Sequence, residues 1–202
     1  IIFFCLQATT AHSEPVTLLF AGDLMLADGP GRTIAAGGDP LAPFAAILNQ
    51  ADYRIGNLEV PVATSGKPHA SKIVSFRADP RVVSALHGRF DAVSLANNHS
   101  GDYGHDAFVE TMRHLANAGI AYFGGGHNLA EAHRPLWIEK NGLKIAVLGY
   151  NEFKPRAFEA GANWPGIAWS QDDLVIADIR AAKIAGADLV VLRTFSKIYG
   201  MA

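Results

Sequence analysis

The sequence predicts an α/β fold with a mostly parallel sheet. Short apolar runs alternate along the chain with stretches that carry apolar residues at helical spacing. Several of these runs end directly in polar residues, as buried strands do where they enter loops. The dipeptide Asn141-Gly142 joins two apolar runs, and this is the strongest short-range signal for a hairpin. The predicted sheet is therefore parallel with at least one antiparallel pair.

The predicted elements follow one another in the order β-α-β-β-α-β-α-β-β-β-α-β. The runs predicted as strands are residues 16–21, 53–58, 73–77, 92–95, 120–123, 135–139, 143–149 and 188–192. The predicted helices are residues 41–50, a segment that begins at Asp79, a segment that ends before Gly119, and residues 172–185. Asp79 can cap its helix and Pro80 suits the first turn, while glycine is typical of a helix end.

The composition fits one globular domain and excludes several classes of protein. Half of the 202 residues are hydrophobic and 18% are charged, so the chain can bury a sizeable core. A net charge of −2 without a run of Lys or Arg argues against a nucleic-acid partner. Cys5 is the single cysteine, which excludes an internal disulfide and a cysteine-based metal cluster.

Residues 1–13 are expected to be the remnant of a secretory signal peptide. Residues 1–8 are apolar, and Ala11-His12-Ser13 offers the small residues of a cleavage site. The alternative is a short buried first strand. No later segment approaches the ~18 uninterrupted apolar residues of a membrane span. We therefore expect a location in the cell envelope or outside the cell.

Polar side chains that could carry chemistry follow three of the predicted strands. These side chains are Asp23 after the first strand, Asn57 and Glu59 at the end of the second, and Asn97, Asn98, His99 and Asp102 after the fourth. The carboxyl ends of parallel strands meet at one edge of a sheet, where sites of α/β folds form. Oxygen ligands and an imidazole suit Mn²⁺, Mg²⁺, Fe or Zn²⁺, so the set suggests a divalent metal site. Taken singly, each residue could instead be a turn, a helix cap or a surface carboxylate.

Six blocks of sequence resemble the CapA family of capsule and poly-γ-glutamate synthesis proteins, distant relatives of calcineurin-like metallophosphoesterases. The blocks are FAGDLM (20–25), GNLEVP (56–61), FRADP (76–80), VSLANNHSGDYG (93–104), AGIAYFGGG (118–126) and KIAVLGY (144–150). The resemblance implies a metallophosphoesterase-like layered α/β sandwich. It also implies that Asp23, Glu59 and Asn98 bind the metal, with Asn57 and Asn97 as further candidates. In the same comparison, His99 corresponds to a general acid whose imidazole Asp102 orients.

Two departures from the family pattern weaken the enzymatic interpretation. Met25 stands where metallophosphoesterases usually carry a histidine. After residue 192 the family continues with a Ser-Leu-His-Trp-Gly type segment that this chain does not contain. The chain is therefore expected to consist of the signal remnant, a CapA-like domain at 14–192 that is incomplete at its C-terminus, and a foreign tail at 193–202. Such a piece is expected to bind metal weakly and to show little turnover.

The tail 193–202 resembles the pyridoxal-phosphate lysine segment of histidinol-phosphate aminotransferases. In that family Ser196 would contact the cofactor phosphate and Lys197 would form the Schiff base. No cofactor-binding domain surrounds this lysine, so no aminotransferase activity is expected. The segment is interpreted as a chimeric join, with coincidence as the alternative.

The expected function is a CapA-like role in synthesis or export of a capsule or poly-γ-glutamate polymer. The expected partners are an anionic envelope polymer or a phosphoester, and the capsule machinery. A metal-dependent phosphoesterase is the alternative function, and an aminotransferase fragment is a distant third. Whether the chain is an enzyme stays open.

Overall fold

The computed structural model describes residues 14–70, 72–154 and 156–194. The signal-peptide prediction and the predictions for Ser196 and Lys197 lie outside these residues. Within them the α/β prediction is confirmed: helices cover two sheets that pack against each other.

The first sheet has four parallel strands in chain order. They are β1 (Leu18–Asp23), β2 (Tyr53–Asn57), β3 (Ala92–Ser94) and β4 (Ala121–Phe123). Ile55, Ala92 and Val93 have no exposed surface. Parallel strands are covered on both faces, which is why these strands appear in the sequence as continuous apolar runs.

The second sheet contains the predicted hairpin. Its strands are β6 (Leu136–Lys140), β7 (Leu143–Tyr150) and β9 (Leu189–Thr194). The pair β6–β7 is antiparallel and β7–β9 is parallel. Asn141 and Gly142 both have positive φ, 51° and 79°, as a type I′ turn requires. A third, two-stranded antiparallel sheet pairs β5 (Gly125–Gly126) with β8 (Gly166–Ile167).

Six helices lie among the described residues. They are α1 (Asp28–Ala35), α2 (Ala45–Leu48), α3 (Val83–Leu86), α4 (Gly104–Asn117), α5 (Leu129–Ala132) and α6 (Asp172–Ile184). Short 3₁₀ turns, Ala42–Phe44 and Pro80–Val82, precede α2 and α3. As predicted, Asp79 caps the second turn, because its side chain accepts a hydrogen bond from the backbone N–H of Arg81.

The helices and sheets form α/β/β/α layers, and a group of buried side chains packs at each of the three boundaries between layers. On the outer face of the first sheet, Phe108 and Leu115 of α4 pack with Val93. Between the sheets, Ile55 packs with Val147. On the outer face of the second sheet, the small side chains of Ala146 and Ala182 allow α6 to lie close. The arrangement is the layered α/β sandwich expected of a metallophosphoesterase-like fold.

The structure corrects two of the predicted elements and adds a helix that the sequence did not predict. The strand predicted at 73–77 is wrong: the backbone N–H of Phe76 binds the side chain of Asp102 in place of a neighbouring strand, and Ile73 is fully exposed. The helix predicted at 41–50 is only the 3₁₀ turn and α2. Helix α1 was not predicted, and its Gly-Pro-Gly interior explains why its sequence lacks a helical signal.

Replacing Gly142 by Ala should lower the free energy of unfolding by about 1 kcal/mol, because an L side chain at φ +79° is strained even though open space surrounds it. Urea unfolding of the whole chain measures the change. Gly29→Ala is the matched control, since Gly29 also has open space but lies in α1 without positive φ. Equal effects of the two substitutions would contradict the assigned turn.

Candidate functional site

The candidate site lies where β1, β2 and β3 end. Asp23 and Asn57 are the last residues of their strands and are register partners, and Asn57 is in turn the partner of Ser94 at the end of β3. The chain leaves β3 into the segment that contains Asn97 and His99. As the sequence analysis predicts, parallel pairing brings the three polar segments to one edge of the sheet.

The side-chain amide of Asn97 can satisfy its neighbours in one orientation only. Its Oδ1 accepts hydrogen bonds from the backbone N–H groups of His99 and Ser100, both at 3.0 Å. Its Nδ2 donates to the carbonyl oxygen of Leu58 at 2.9 Å and to Oδ1 of Asn57 at 3.1 Å. Backbone N–H groups can only donate, so a reversed amide would set donor against donor. Asn97 is buried, and the reversed form would lose these bonds without compensation from water.

The orientation of the Asn97 amide determines which atom of Asn57 faces two nearby carboxylates. Because its Oδ1 faces the Asn97 amide, its Nδ2 is turned toward Oδ1 of Asp23 at 2.9 Å and Oε2 of Glu59 at 2.5 Å. Asn57 and Glu59 are almost completely buried, whereas Asp23 is exposed. One amide nitrogen therefore holds an exposed and a buried carboxylate oxygen side by side.

The imidazole of His99 is held by Asp102. Nδ1 of His99 lies 2.8 Å from Oδ2 of Asp102, and the ring packs edge-on against Phe76 with centroids 5.0 Å apart. An ionised carboxylate only accepts hydrogen bonds, so Nδ1 carries a proton and Nε2 is the ring nitrogen left for a ligand or for proton transfer. This is the contact that the sequence analysis expects between the two residues, and the acid role of His99 stays a prediction.

Asp102 is fully buried, and its carboxylate has three hydrogen-bond partners. Burial alone would raise the pKa of its carboxyl group, but hydrogen bonds from His99, Lys72 and the backbone N–H of Phe76 outweigh burial and hold that pKa below its usual range. The Phe76 nitrogen lies 2.7 Å from Oδ2, and Nζ of Lys72 donates to Oδ1. Asp102 is therefore ionised at neutral pH.

A cavity of about 520 Å³ opens beside His99. Its polar lining consists of Lys72, His69, Asn97, Asn98, His99 and Asn151. Phe153, Phe158 and Ile167 form part of an apolar wall. Asn98 is one of the lining residues, and its backbone oxygen accepts a hydrogen bond from Lys72.

The predicted side chains thus form two neighbouring groups. The acidic group comprises Asp23, Glu59 and the amide of Asn57 between them. The cavity group comprises Asn98 and His99, with Asp102 behind the imidazole. Asn97 belongs to both, because it binds Asn57 and also lines the cavity. Asp23 and Glu59 are not among the described residues that line the cavity.

The acidic group suits a divalent cation in the type of its ligands. Carboxylate oxygens are preferred by Mg²⁺ and Mn²⁺, and Mg²⁺ is often bound by one or two carboxylates together with water and a phosphate. In the part of the chain that the structure describes, no three His, Cys, Asp or Glu side chains converge on a point that could hold a metal. A cation held by Asp23 and Glu59 would therefore take most of its ligands from water or from a bound anion.

Lys72 belongs to this site although the sequence analysis does not name it. It directly precedes the segment predicted as a strand at 73–77, and no motif marks it. Its position follows only from the folded loop, where its ammonium group reaches Asp102, 30 residues away in the sequence. No signal in the sequence could have found it.

Comparison with known proteins agrees with this architecture. The profile of the family described as bacterial capsule synthesis protein PGA_cap matches residues 17–194, which include all three described sheets and every residue of the site. The chain belongs to the PGA_cap family. The resemblance to the CapA proteins that the six sequence blocks indicate is thereby confirmed.

Several relatives carry names that refer to capsules or polyglutamate. PGA biosynthesis protein CapA of Bacillus subtilis (strain 168) is 28% identical over 193 residues, which cover 93% of this chain and 50% of that protein. Capsule biosynthesis protein CapA of Bacillus anthracis is 29% identical over 199 residues, or 91% and 47%. A probable polyglutamine synthesis accessory protein of Mycobacterium tuberculosis is 29% identical over 163 residues, or 75% and 43%. The chain spans about half the length of these relatives.

Asn97→Ala should lower the free energy of unfolding by about 3 kcal/mol, because it leaves several buried donors and acceptors without partners. Asn98→Ala is the matched control and should cost less than about 1 kcal/mol, since its side chain makes no hydrogen bond among the described residues. Urea unfolding of both variants gives the comparison. Similar losses at the two positions would refute the orienting role of Asn97.

The stability contributed by Asp102 should depend on pH. Its pKa is depressed in the folded state, so its contribution is present above the unfolded value of about 4 and is lost as the pH falls through the folded value. Asp102→Asn should cost about 2 kcal/mol at neutral pH, where charged hydrogen bonds are lost, and progressively less toward about pH 3. Unfolding curves for both proteins across this range test the prediction. A cost that does not change with pH would contradict it.

Proposed function

We propose that this chain acts in the synthesis or export of an anionic capsule polymer of the poly-γ-glutamate type, as an accessory domain that binds the polymer. Membership of the PGA_cap family and the names of the relatives support this role. The observation that carries the proposal is the cavity beside His99, whose described lining offers basic and amide groups and no carboxylate.

The cavity suits a chain in which carboxylates alternate with apolar carbons. Lys72 and the amides of Asn98 and Asn151 can donate hydrogen bonds to carboxylate or amide oxygens. Phe153 and Phe158 offer apolar surface to the methylene groups between them. A pocket with an apolar wall and a few polar groups is the usual form of a ligand site.

In this proposal a divalent cation binds at Asp23 and Glu59, with Asn98 as a further predicted ligand. The cation would supply positive charge beside the cavity and polarise an oxygen of the bound anion. Asn57 fixes both carboxylates for this purpose through a neutral amide, which orients them without adding charge of its own. The metal is of the oxygen-preferring kind, such as Mn²⁺ or Mg²⁺.

The proposed location is the cell envelope or the extracellular space, with the capsule synthesis or export machinery as partner. The names of the relatives support this location. Among the described residues, the helices are all too short or too polar to cross a membrane.

The test is binding of poly-γ-glutamate to the chain, measured by calorimetry with MnCl₂ and with EDTA. We expect binding that Mn²⁺ strengthens about tenfold, and we expect Asp23→Asn to remove the strengthening because it deletes an exposed ligand. Asp173→Asn, which removes an exposed carboxylate from α6 at no predicted site, should behave as the wild type.

Two results would overturn the proposal. One is the absence of polymer binding under either condition. The other is turnover of p-nitrophenyl phosphate that requires Mn²⁺ and disappears in His99→Ala, which would identify a phosphoesterase in place of a binding domain.

A further inference from the structure

A single loop covers one side of the cavity and carries its lysine. The loop, called the 63–78 loop, is described at residues 63–70 and 72–78. Its two ends are joined by hydrogen bonds from Ala63 N to Ala78 O at 3.1 Å and from Ala78 N to Pro61 O at 2.9 Å. Compact loops with closed ends are frequently functional.

The beginning of the 63–78 loop is fastened to α4 by Glu110. The Glu110 carboxylate accepts hydrogen bonds from the backbone N–H groups of Thr64 and Ser65 at 3.1 and 2.9 Å and from both hydroxyls. Burial would raise the pKa of Glu110, but these bonds, those of Ser65 first, and one from His114 hold it well below its usual range. The anchor is therefore ionised and intact at neutral pH.

The middle of the loop is fastened to Asp102. The backbone N–H of His69 donates to the carbonyl oxygen of Asp102 at 2.8 Å, and Phe76 and Lys72 bind its carboxylate. Three contacts from separate points of the loop thus converge on one buried residue. The position of Lys72 is consequently set before any ligand arrives, which lowers the entropic cost of binding.

The ammonium group of Lys72 retains capacity for a ligand. It has three N–H donors, and its contacts with Asp102 and with the backbone oxygen of Asn98 use two of them. Its side chain is 28% exposed and lines the cavity. A cation held in this way, at the border of a pocket whose described lining contains no carboxylate, is suited to bind an anion.

We infer that Lys72 is the residue that binds the anionic group of the ligand in this cavity, and that this group is a carboxylate of an amide-linked acidic chain. The inference rests on the proposed function for the identity of the chain, and on the 63–78 loop for the residue. The exposed side chains of Ile73 and Val74, next to Lys72 on the same loop, then flank the carbon segment beside the bound carboxylate.

The experiment measures binding of a hexamer of γ-linked glutamate and of its fully amidated, neutral analogue to the whole chain. For the wild type we expect the charged hexamer to bind about tenfold more tightly than the neutral one, since a hydrogen bond to a charged group is at stake. Lys72→Gln should abolish this preference, and Lys72→Arg should keep most of it. Lys67→Gln, on the same loop but outside the cavity lining, is the matched control and should retain the full preference.

A second measurement on the wild type does not depend on the folding of a variant. The hexamer should slow the acetylation of Lys72 by acetic anhydride about fivefold, as expected for an ammonium group engaged by a ligand most of the time. Acetylation of Lys67, followed by mass spectrometry in the same sample, should be unaffected.

The possible failures can be told apart. If the wild type binds the hexamer while Lys72→Gln keeps the preference, or if Lys72 is not protected, the assignment of Lys72 is wrong and the proposed function stands. If polyphosphate displaces the hexamer at equal charge concentration, the carboxylate class is wrong. If the wild type binds neither hexamer nor polymer, the proposed function fails and the assignment fails with it.

Discussion

The arrangement of the site depends on the amide of Asn97. Two backbone N–H groups, of His99 and Ser100, fix its oxygen, and its nitrogen is thereby directed to Asn57. Because the side-chain oxygen of Asn57 accepts this hydrogen bond, its side-chain N–H₂ group faces Asp23 and Glu59. The main chain after β3 thus sets the orientation of both amides, and this orientation directs N–H donors at two carboxylates, that of Asp23 at the end of β1 and that of Glu59 just after β2. Asn57, Glu59 and Asn97 are buried, so the hydrogen bonds among them are costly to lose, and the orientation of the two amides is correspondingly well defined.

The carboxylate of Asp102 positions the groups on the cavity side of the site. It holds the imidazole of His99 on one oxygen, together with the Phe76 N–H, and the ammonium of Lys72 on the other. A fully buried carboxylate is tolerated only when it is well paired. The 63–78 loop, which supplies Lys72 and Phe76, must therefore close over Asp102, and it forms one wall of the cavity. The contacts that stabilise the buried charge are also the contacts that place the ligand-facing groups.

The features that could be predicted from the sequence are those determined by residues close together in the chain or by a general rule of strand pairing. The apolar runs of β1, β2 and β3 and the Asn141-Gly142 turn act through neighbouring residues, so the α/β class and the hairpin were predictable. The meeting of Asp23, Asn57 and Asn97 was predictable because parallel pairing is a general rule. The place of Lys72 in the site could not be predicted, because it depends on a loop that is held by contacts with Glu110 and Asp102. The apolar residues Ile73, Val74 and Phe76 resemble a strand in the sequence. They lie instead in a loop, where the backbone N–H of Phe76 binds the side chain of Asp102.

The site is held in place by two neutral amides and one carboxylate, and these groups affect the local charge differently. Asn57 and Asn97 are neutral, so they set the direction of the carboxylates of Asp23 and Glu59 while contributing no charge against them. Asp102, in contrast, is paired directly with the ammonium of Lys72 and with His99. The acidic group on one side of Asn97 therefore keeps its negative charge, whereas the cavity on the other side offers N–H donors. An anionic chain accompanied by divalent cations would find complementary charge on both sides, separated by a single buried amide.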